Sequence, residues 1–180
     1  RYPSIVEDIV ISCATDGNHG RSVAWGCQMF GCACIIYIHR DVSEGRKPAM
    51  QALGAEVIRV DANYDASVRQ ADSDAIAHGR IIVSDTSYPG YLEIPKDVAL
   101  GYTVMLAEAV EQMGDIIPTH VFIQAGVGGL AAAVCAYFWE LWGADRPRFI
   151  VVEPEQANCL QQSAMKGEPV AVDGDLETLM

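Results

Sequence analysis

Hydrophobic positions along this chain follow two alternating patterns. Short unbroken apolar runs, such as Cys34 to Ile38, suit strands buried on both faces. Between them lie stretches with apolar residues three or four apart, as at Val23, Cys27 and Phe30, the spacing of a helix with one buried side. Read in order, the pattern predicts a strand over Ile9 to Ala14, a helix over Asn18 to Phe30 and a strand over Cys34 to Ile38. Ser43 and Glu44 open a helix that ends at Gly54, and Glu56 to Val60 is the third strand. Asp61-Ala62-Asn63 turns into a polar helix through Ala77, closed by His78-Gly79, and Ile81 to Ser84 is the fourth strand.

The rhythm breaks over Asp85 to Pro95, an irregular stretch holding Tyr88-Pro89-Gly90-Tyr91. A long helix follows, with Val98, Tyr102, Met105, Leu106, Ala109, Val110 and Met113 on its apolar side. Val121 to Gln124 is then a strand, Leu130 to about Trp142 a helix, Phe149 to Val152 a strand and Ala157 to about Met165 a helix, with a loop from Glu168 on. Repeated strand–helix units with buried strands predict an α/β fold of open, mostly parallel, twisted sheets with helices on both faces. The break near Asp85 is where the chain is expected to cross from a smaller subdomain, residues 1–84, to part of a larger one, residues 85–180.

Composition narrows the functional classes. The chain is 51% hydrophobic and 20% charged, and its 12 basic against 24 acidic residues give a net charge of -12. Binding to nucleic acid needs clustered Lys and Arg, so that class is set aside. No apolar run reaches the ~18 residues of a membrane span, so no membrane partner is expected. The six cysteines lie in apolar segments without a Cys-x-x-Cys pair, which reads as buried free thiols in a reducing, cytoplasmic compartment, with no metal site.

Two glycine-bearing loops carry the chemistry. Both fall where a strand hands over to a helix, the edge at which open α/β sheets bind ligands. Gly126-Val127-Gly128-Gly129-Leu130 lets several backbone N–H groups converge on one anion at a helix N-terminus. No lysine follows it, so it is not a Walker loop. Gly126-x-Gly128-x-x-Ala131 with Glu153 at the end of the next strand also fits a relaxed dinucleotide fingerprint, and tight strand–helix packing alone is a third reading. Ala14-Thr15-Asp16-Gly17-Asn18-His19-Gly20 places a carboxylate and a carboxamide at the other junction. Asn18 reads either as a helix cap or as a ligand group. The ionised form of Asp16 is favoured near a helix N-terminus, where it serves as a base or as a partner for an ammonium.

The Asn18 loop resembles that of pyridoxal-phosphate enzymes of fold type II, the tryptophan-synthase-β and threonine-dehydratase class. Ala14-Thr15-Asp16-Gly17-Asn18-His19-Gly20 with Arg21-Ser22-Val23-Ala24-Trp25, Ser84-Asp85-Thr86-Ser87-Tyr88-Pro89-Gly90-Tyr91 and Gln124-Ala125-Gly126-Val127-Gly128-Gly129-Leu130 are most similar, in that order, to the diaminopropionate ammonia-lyases. The resemblance runs from about Cys13 over nearly the whole chain. It implies that Asn18 meets the phenolic oxygen of pyridoxal 5'-phosphate and that the segment Gly126, Val127, Gly128, Gly129, Leu130 cradles its phosphate. It implies Asp16 as the base for one enantiomer and a partner for the second amine of 2,3-diaminopropionate, with Asp85 lining the same pocket. The reaction implied is α,β-elimination to pyruvate and ammonia on a small amino-acid substrate, by a homodimer in the complete enzyme.

Asp16 separates this reading from a serine or threonine dehydratase, whose neutral leaving hydroxyl has no need of a carboxylate. A dinucleotide-binding module leaves the Asn18 loop unexplained. A further rival is no enzyme at all, only a degenerate domain that binds pyridoxal phosphate without a lysine. His19 is read as scaffolding at the helix start, and Tyr88 and Tyr91 either shape an entrance or pack in a core. Glu153-Pro154 matches a strand-end pair of the fold and is given no chemistry. The family's Schiff-base lysine precedes the Asn loop, where this chain has none, and Lys47, Lys96 and Lys166 lie on polar helical positions. No catalytic lysine is assigned, and the chain is expected to be an incomplete piece, inactive by itself.

Overall fold

The computed structural model describes residues 6–172. The chain divides into two compact units, Arg1–Ser84 and Asp85–Met180.

The first unit is built on one sheet of β1 (Val10–Ala14), β2 (Ala33–His39), β3 (Glu56–Val60) and β4 (Ile81–Ile82), in the order β3-β2-β1-β4. Every pair in it is parallel, with Cys13 opposite Ile36 and Ile36 opposite Val57. Three helices accompany it: α1 (Asn18–Phe30), α2 (Arg46–Gln51) and α3 (Tyr64–His78). Side chains alternate across a strand, so one face collects Cys13, Cys34, Ile36, Ile38 and Val57. Those residues form a core with Ala24 and Cys27 of α1 and Met50 of α2. The opposite face carries Ser12 and Tyr37, and Tyr37 donates its hydroxyl to Asp74 of α3. Helices therefore cover both faces, as the unbroken apolar run of β2 requires.

Two elements are shorter than the sequence pattern predicts. The turn at Ser43 and Glu44 is not helical, and α2 starts only at Arg46. Arg59 of β3 donates to the carbonyls of His39, Arg40 and Val42 and pairs with Glu44, which holds this connection in a non-helical path. The fourth strand stops at Ile82 instead of Ser84. Val83 still donates to Ser12, but its own carbonyl is taken by the His19 ring and the ladder ends there.

The second unit pairs β5 (His120–Gln124) with β6 (Arg148–Val152), again parallel, with Val121 opposite Phe149. Its helices are α4 (Glu93–Met113), α5 (Gly129–Trp142) and α6 (Cys159–Lys166). Helix α4 begins two residues before Pro95, which sits in the first turn where its missing N–H costs nothing. Leu106, Val134 and Phe138 form the core, with Val121, Ile123 and Phe149 packed on it. Phe122, on the other side of β5, is exposed. Of the cysteines, Cys13, Cys27 and Cys34 are buried as expected, whereas Cys32, Cys135 and Cys159 are only partly covered because they sit at element ends or helix flanks. The loop expected from Glu168 on falls mostly outside the described residues.

Candidate active site

The first site is the turn from β1 into α1. Thr15, nearly fully buried, accepts two backbone hydrogen bonds on Oγ1, from Gly17 N at 3.0 Å and Gly20 N at 3.2 Å. Thr15 thereby ties down two N–H groups that a helix N-terminus otherwise leaves without partners. Asn18 therefore does not serve as the cap. It is the first helical residue, it is exposed, and its side chain makes no hydrogen bond among the described residues. His19 lies with Nε2 2.8 Å from the Val83 carbonyl, and since a carbonyl only accepts, that nitrogen carries the hydrogen. It joins the start of α1 to the end of β4.

Asp16 is fastened at its backbone and its side chain. Its carbonyl accepts from Arg46 Nη1 at 2.7 Å, across from α2. Its Oδ1 lies 2.9 Å from His39 Nε2, at ion-pair distance, and is sealed from solvent without accepting a directed hydrogen bond. The side chain as a whole stays 31% exposed, so the carboxylate still faces outward. His39 and Arg46 were not foreseen from the sequence. The strand register explains the first of them: Ala14 lies opposite Tyr37, so two steps further along parallel strands Asp16 comes beside His39.

The second site is the turn from β5 into α5. Gly128 has φ +95°, and Gly129 opens the helix with no side chain capping it. A Cβ on Gly129 would stand 2.6 Å from the backbone oxygen of Asp85, so only glycine allows this approach. The carbonyl of Gly126 is held by the Cys159 thiol at 3.1 Å. Burial first, and then the neighbouring Glu153 carboxylate, push that thiol's pKa up, which keeps it a donor. The first-turn N–H groups of α5 lack intrahelical partners and suit an oxyanion. Gly126 and Val127 are exposed, with Gly128, Gly129 and Leu130 half-buried behind them.

The structure brings Asp85 to this glycine turn. Its Oδ2 accepts from the Tyr102 hydroxyl at 3.3 Å and its Oδ1 from Thr86 at 3.4 Å. The Tyr102 phenol is pushed up to about 12, by burial first and then by Asp85. Glu153 is not available for a ribose: Oε1 accepts from Leu160 N and Oε2 from Gln161 N, both at 2.9 Å, so the carboxylate caps α6. That commitment removes the acid on which the dinucleotide reading depended. Tyr88 and Tyr91 face each other across an antiparallel bridge with rings stacked at 5.0 Å. Tyr88 is exposed, so it belongs to no core.

Parallel α/β units with a carboxylate–carboxamide turn at one helix start and a glycine-rich turn at another are the arrangement expected of fold type II pyridoxal-phosphate enzymes, and the comparisons with known proteins bear the class out. The family model described as pyridoxal-phosphate dependent enzyme matches residues 6–180, and the chain belongs to this family. It is 41% identical to the diaminopropionate ammonia-lyase of Escherichia coli K12 over 179 residues, which covers 98% of this chain and 45% of that protein. The Salmonella typhimurium diaminopropionate ammonia-lyase is 42% identical over 180 residues, covering 97% and 45%. A holo crystal structure of the E. coli diaminopropionate ammonia lyase superimposes with a TM-score of 0.89 at 41% identity, over 93% of this chain and 43% of that one. A tomato threonine dehydratase is 30% identical over 91% of this chain and 25% of its own length. The chain thus spans under half the length of these relatives.

Proposed function

We propose that the complete gene product eliminates ammonia from 2,3-diaminopropionate, giving pyruvate and a second ammonia, with pyridoxal 5'-phosphate as cofactor. The observation that carries this reading is Asp16, a carboxylate held at the start of α1 beside an unengaged Asn18. What supports the glycine turn as the holder of the cofactor's phosphate is that α5 starts with no side chain capping its first-turn N–H groups. Bound there, the cofactor supplies the electron sink.

In this proposal, the backbone N–H groups from Gly126 to Leu130 hold the phosphate and Asn18 donates its amide to the phenolic oxygen. Asp16 takes the α-proton of the D isomer on its carboxylate and pairs with the β-ammonium of either isomer. An ammonium leaving group gives a carboxylate at this place a purpose that a hydroxyl does not. Asp85, its carboxylate steadied by Tyr102 and Thr86, lines the pocket. No step is assigned to Lys47, Lys96 or Lys166; Lys96 pairs with Glu93 at 2.7 Å. Six free thiols support a cytoplasmic location. Exposed Leu100, Val104 and Met105 on α4 and Phe122 on β5 support burial against further protein, a second copy in a homodimer included.

The test is pyruvate release by the complete gene product with pyridoxal phosphate, given 2,3-diaminopropionate or L-serine separately. Strong preference for the diamine is expected. Preference for serine would place the protein with the dehydratases and remove the role given to Asp16.

A further inference from the structure

We infer that His39 is a positioning residue for Asp16, holding one oxygen of that carboxylate and aiming the other; this rests on the role proposed above for Asp16. The far ring nitrogen settles where the hydrogen lies. Nδ1 of His39 is 3.2 Å from the backbone N–H of Asp41, which can only donate, so Nδ1 accepts. The hydrogen of the neutral ring is then on Nε2, the nitrogen 2.9 Å from Asp16 Oδ1.

A carboxylate oxygen sealed from water needs a positive or donating neighbour, and His39 is the group that occupies that place. The ring is 19% exposed, so the contact is shielded from bulk water on one side. Three other charged side chains stand around it among the described residues. Asp41 Oδ2 stands 3.8 Å from Nδ1 on the open side of the ring, Arg59 from β3 donates to the His39 carbonyl, and Arg46 from α2 donates to the Asp16 carbonyl. Both arginines bond backbone on either side, and the imidazole stands 2.9 Å from the carboxylate itself. One oxygen of Asp16 is thereby spent on the protein, and the other is left for substrate.

Two measurements test this. The first needs no activity: with ¹⁵N-labelled histidine rings, the chain's His39 is expected to carry its neutral-form hydrogen on Nε2, with Nδ1 as acceptor. A hydrogen on Nδ1 would overturn the inference. The second uses the complete gene product with pyridoxal phosphate and both isomers of 2,3-diaminopropionate. His39→Leu is expected to lower the D-to-L ratio of kcat/KM by about tenfold, the scale of losing a close polar contact to a carboxylate. His39→Gln, which keeps a donor near the place of Nε2, is expected to recover most of that ratio. If Leu and Gln fall alike, or if neither changes the ratio while Asp16→Asn abolishes it, His39 does not position Asp16, and the assignment of Asp16 stands. If Asp16→Asn itself leaves the ratio unchanged, the proposed role of Asp16 fails, and the catalytic purpose of His39 fails with it.

Discussion

Gly129→Ala is the most direct probe of the glycine turn, because a single methyl group is the whole perturbation. The added Cβ would sit 2.6 Å from the Asp85 carbonyl oxygen, an atom of the backbone that no rotamer change can move. A close C···O contact is ~3.3 Å, so the turn must open by about 0.7 Å. Overpacking of this kind costs about 1–3 kcal/mol. Alanine's better helix propensity returns at most ~1 kcal/mol, and less in a first turn. The net expectation is a loss of about 1–2 kcal/mol. Gly101→Ala is the matched control: it lies within α4, is exposed, and has nothing within 4 Å of its Cβ position. That change should stabilise by roughly 0.5–1 kcal/mol. Urea unfolding followed by tryptophan fluorescence reads both, since Trp139 and Trp142 share α5 with Gly129. With a slope of ~2 kcal/mol per molar urea, the two midpoints should differ by about 1 M. Equal midpoints would refute the reading that Asp85 backbone closes the space beside the glycine turn.

Two further outcomes follow from the side chains around the two turns. Thr15→Val keeps the shape of a nearly buried residue but removes the acceptor of two N–H groups, so it should cost about 2 kcal/mol, while Thr15→Ser stays within ~1 kcal/mol of the parent in the same unfolding assay. Tyr102 should ionise near 12 instead of 10 when phenolate absorbance is followed against pH, and Asp85→Asn should bring it down while leaving it above 10, because burial is the larger cause. The folded phenol keeps its proton where the unfolded one has lost it, so the fold should lose stability as pH rises from 10 to about 12. A Tyr102 midpoint unmoved by Asp85→Asn would show that the two do not interact.

Strand and helix order was legible because burial on both faces forces unbroken apolar runs, and α1 and β3 fall on the residues their patterns predict. The glycine turn was legible for a related reason, since glycine is scarce at places that need neither close approach nor positive φ. What escaped the sequence was long-range polar contact. Arg59 reaches back 17 to 20 residues to the carbonyls that stop α2 from starting at Ser43. His19 takes the Val83 carbonyl 64 residues away and ends β4 early. Neither contact has a local pattern, because a side chain that bonds to backbone is free to choose any carbonyl the fold brings near. The two readings of Asn18 stayed open for a simpler reason. Asn18 and Thr15 are both good caps, and only the turn geometry decides that Thr15 reaches the free N–H groups first.

Asp16 and Glu153 show how the same chemical group comes to opposite uses. Each follows a parallel strand by one or two residues and each lies near the start of a helix. Glu153 spends both oxygens on N–H groups of α6, where the N-cap residue Asn158 makes no side-chain cap of its own. Asp16 meets a helix start where Thr15 already serves the N–H groups of Gly17 and Gly20, and neither of its oxygens caps the helix. One is turned toward His39 and the other toward the solvent side. The Asp16 carboxylate is left out of the cap because a neighbouring hydroxyl has taken over that structural work, which is what its proposed role requires. Under the role proposed for Asp16, the same logic predicts the cost of undoing it: in Thr15→Val the unserved N–H groups of Gly17 and Gly20 would compete for Asp16, so turnover by the complete gene product should fall by more than the stability loss accounts for. A turnover loss that vanishes once the folded fraction is corrected for would show that Thr15 supports only the fold.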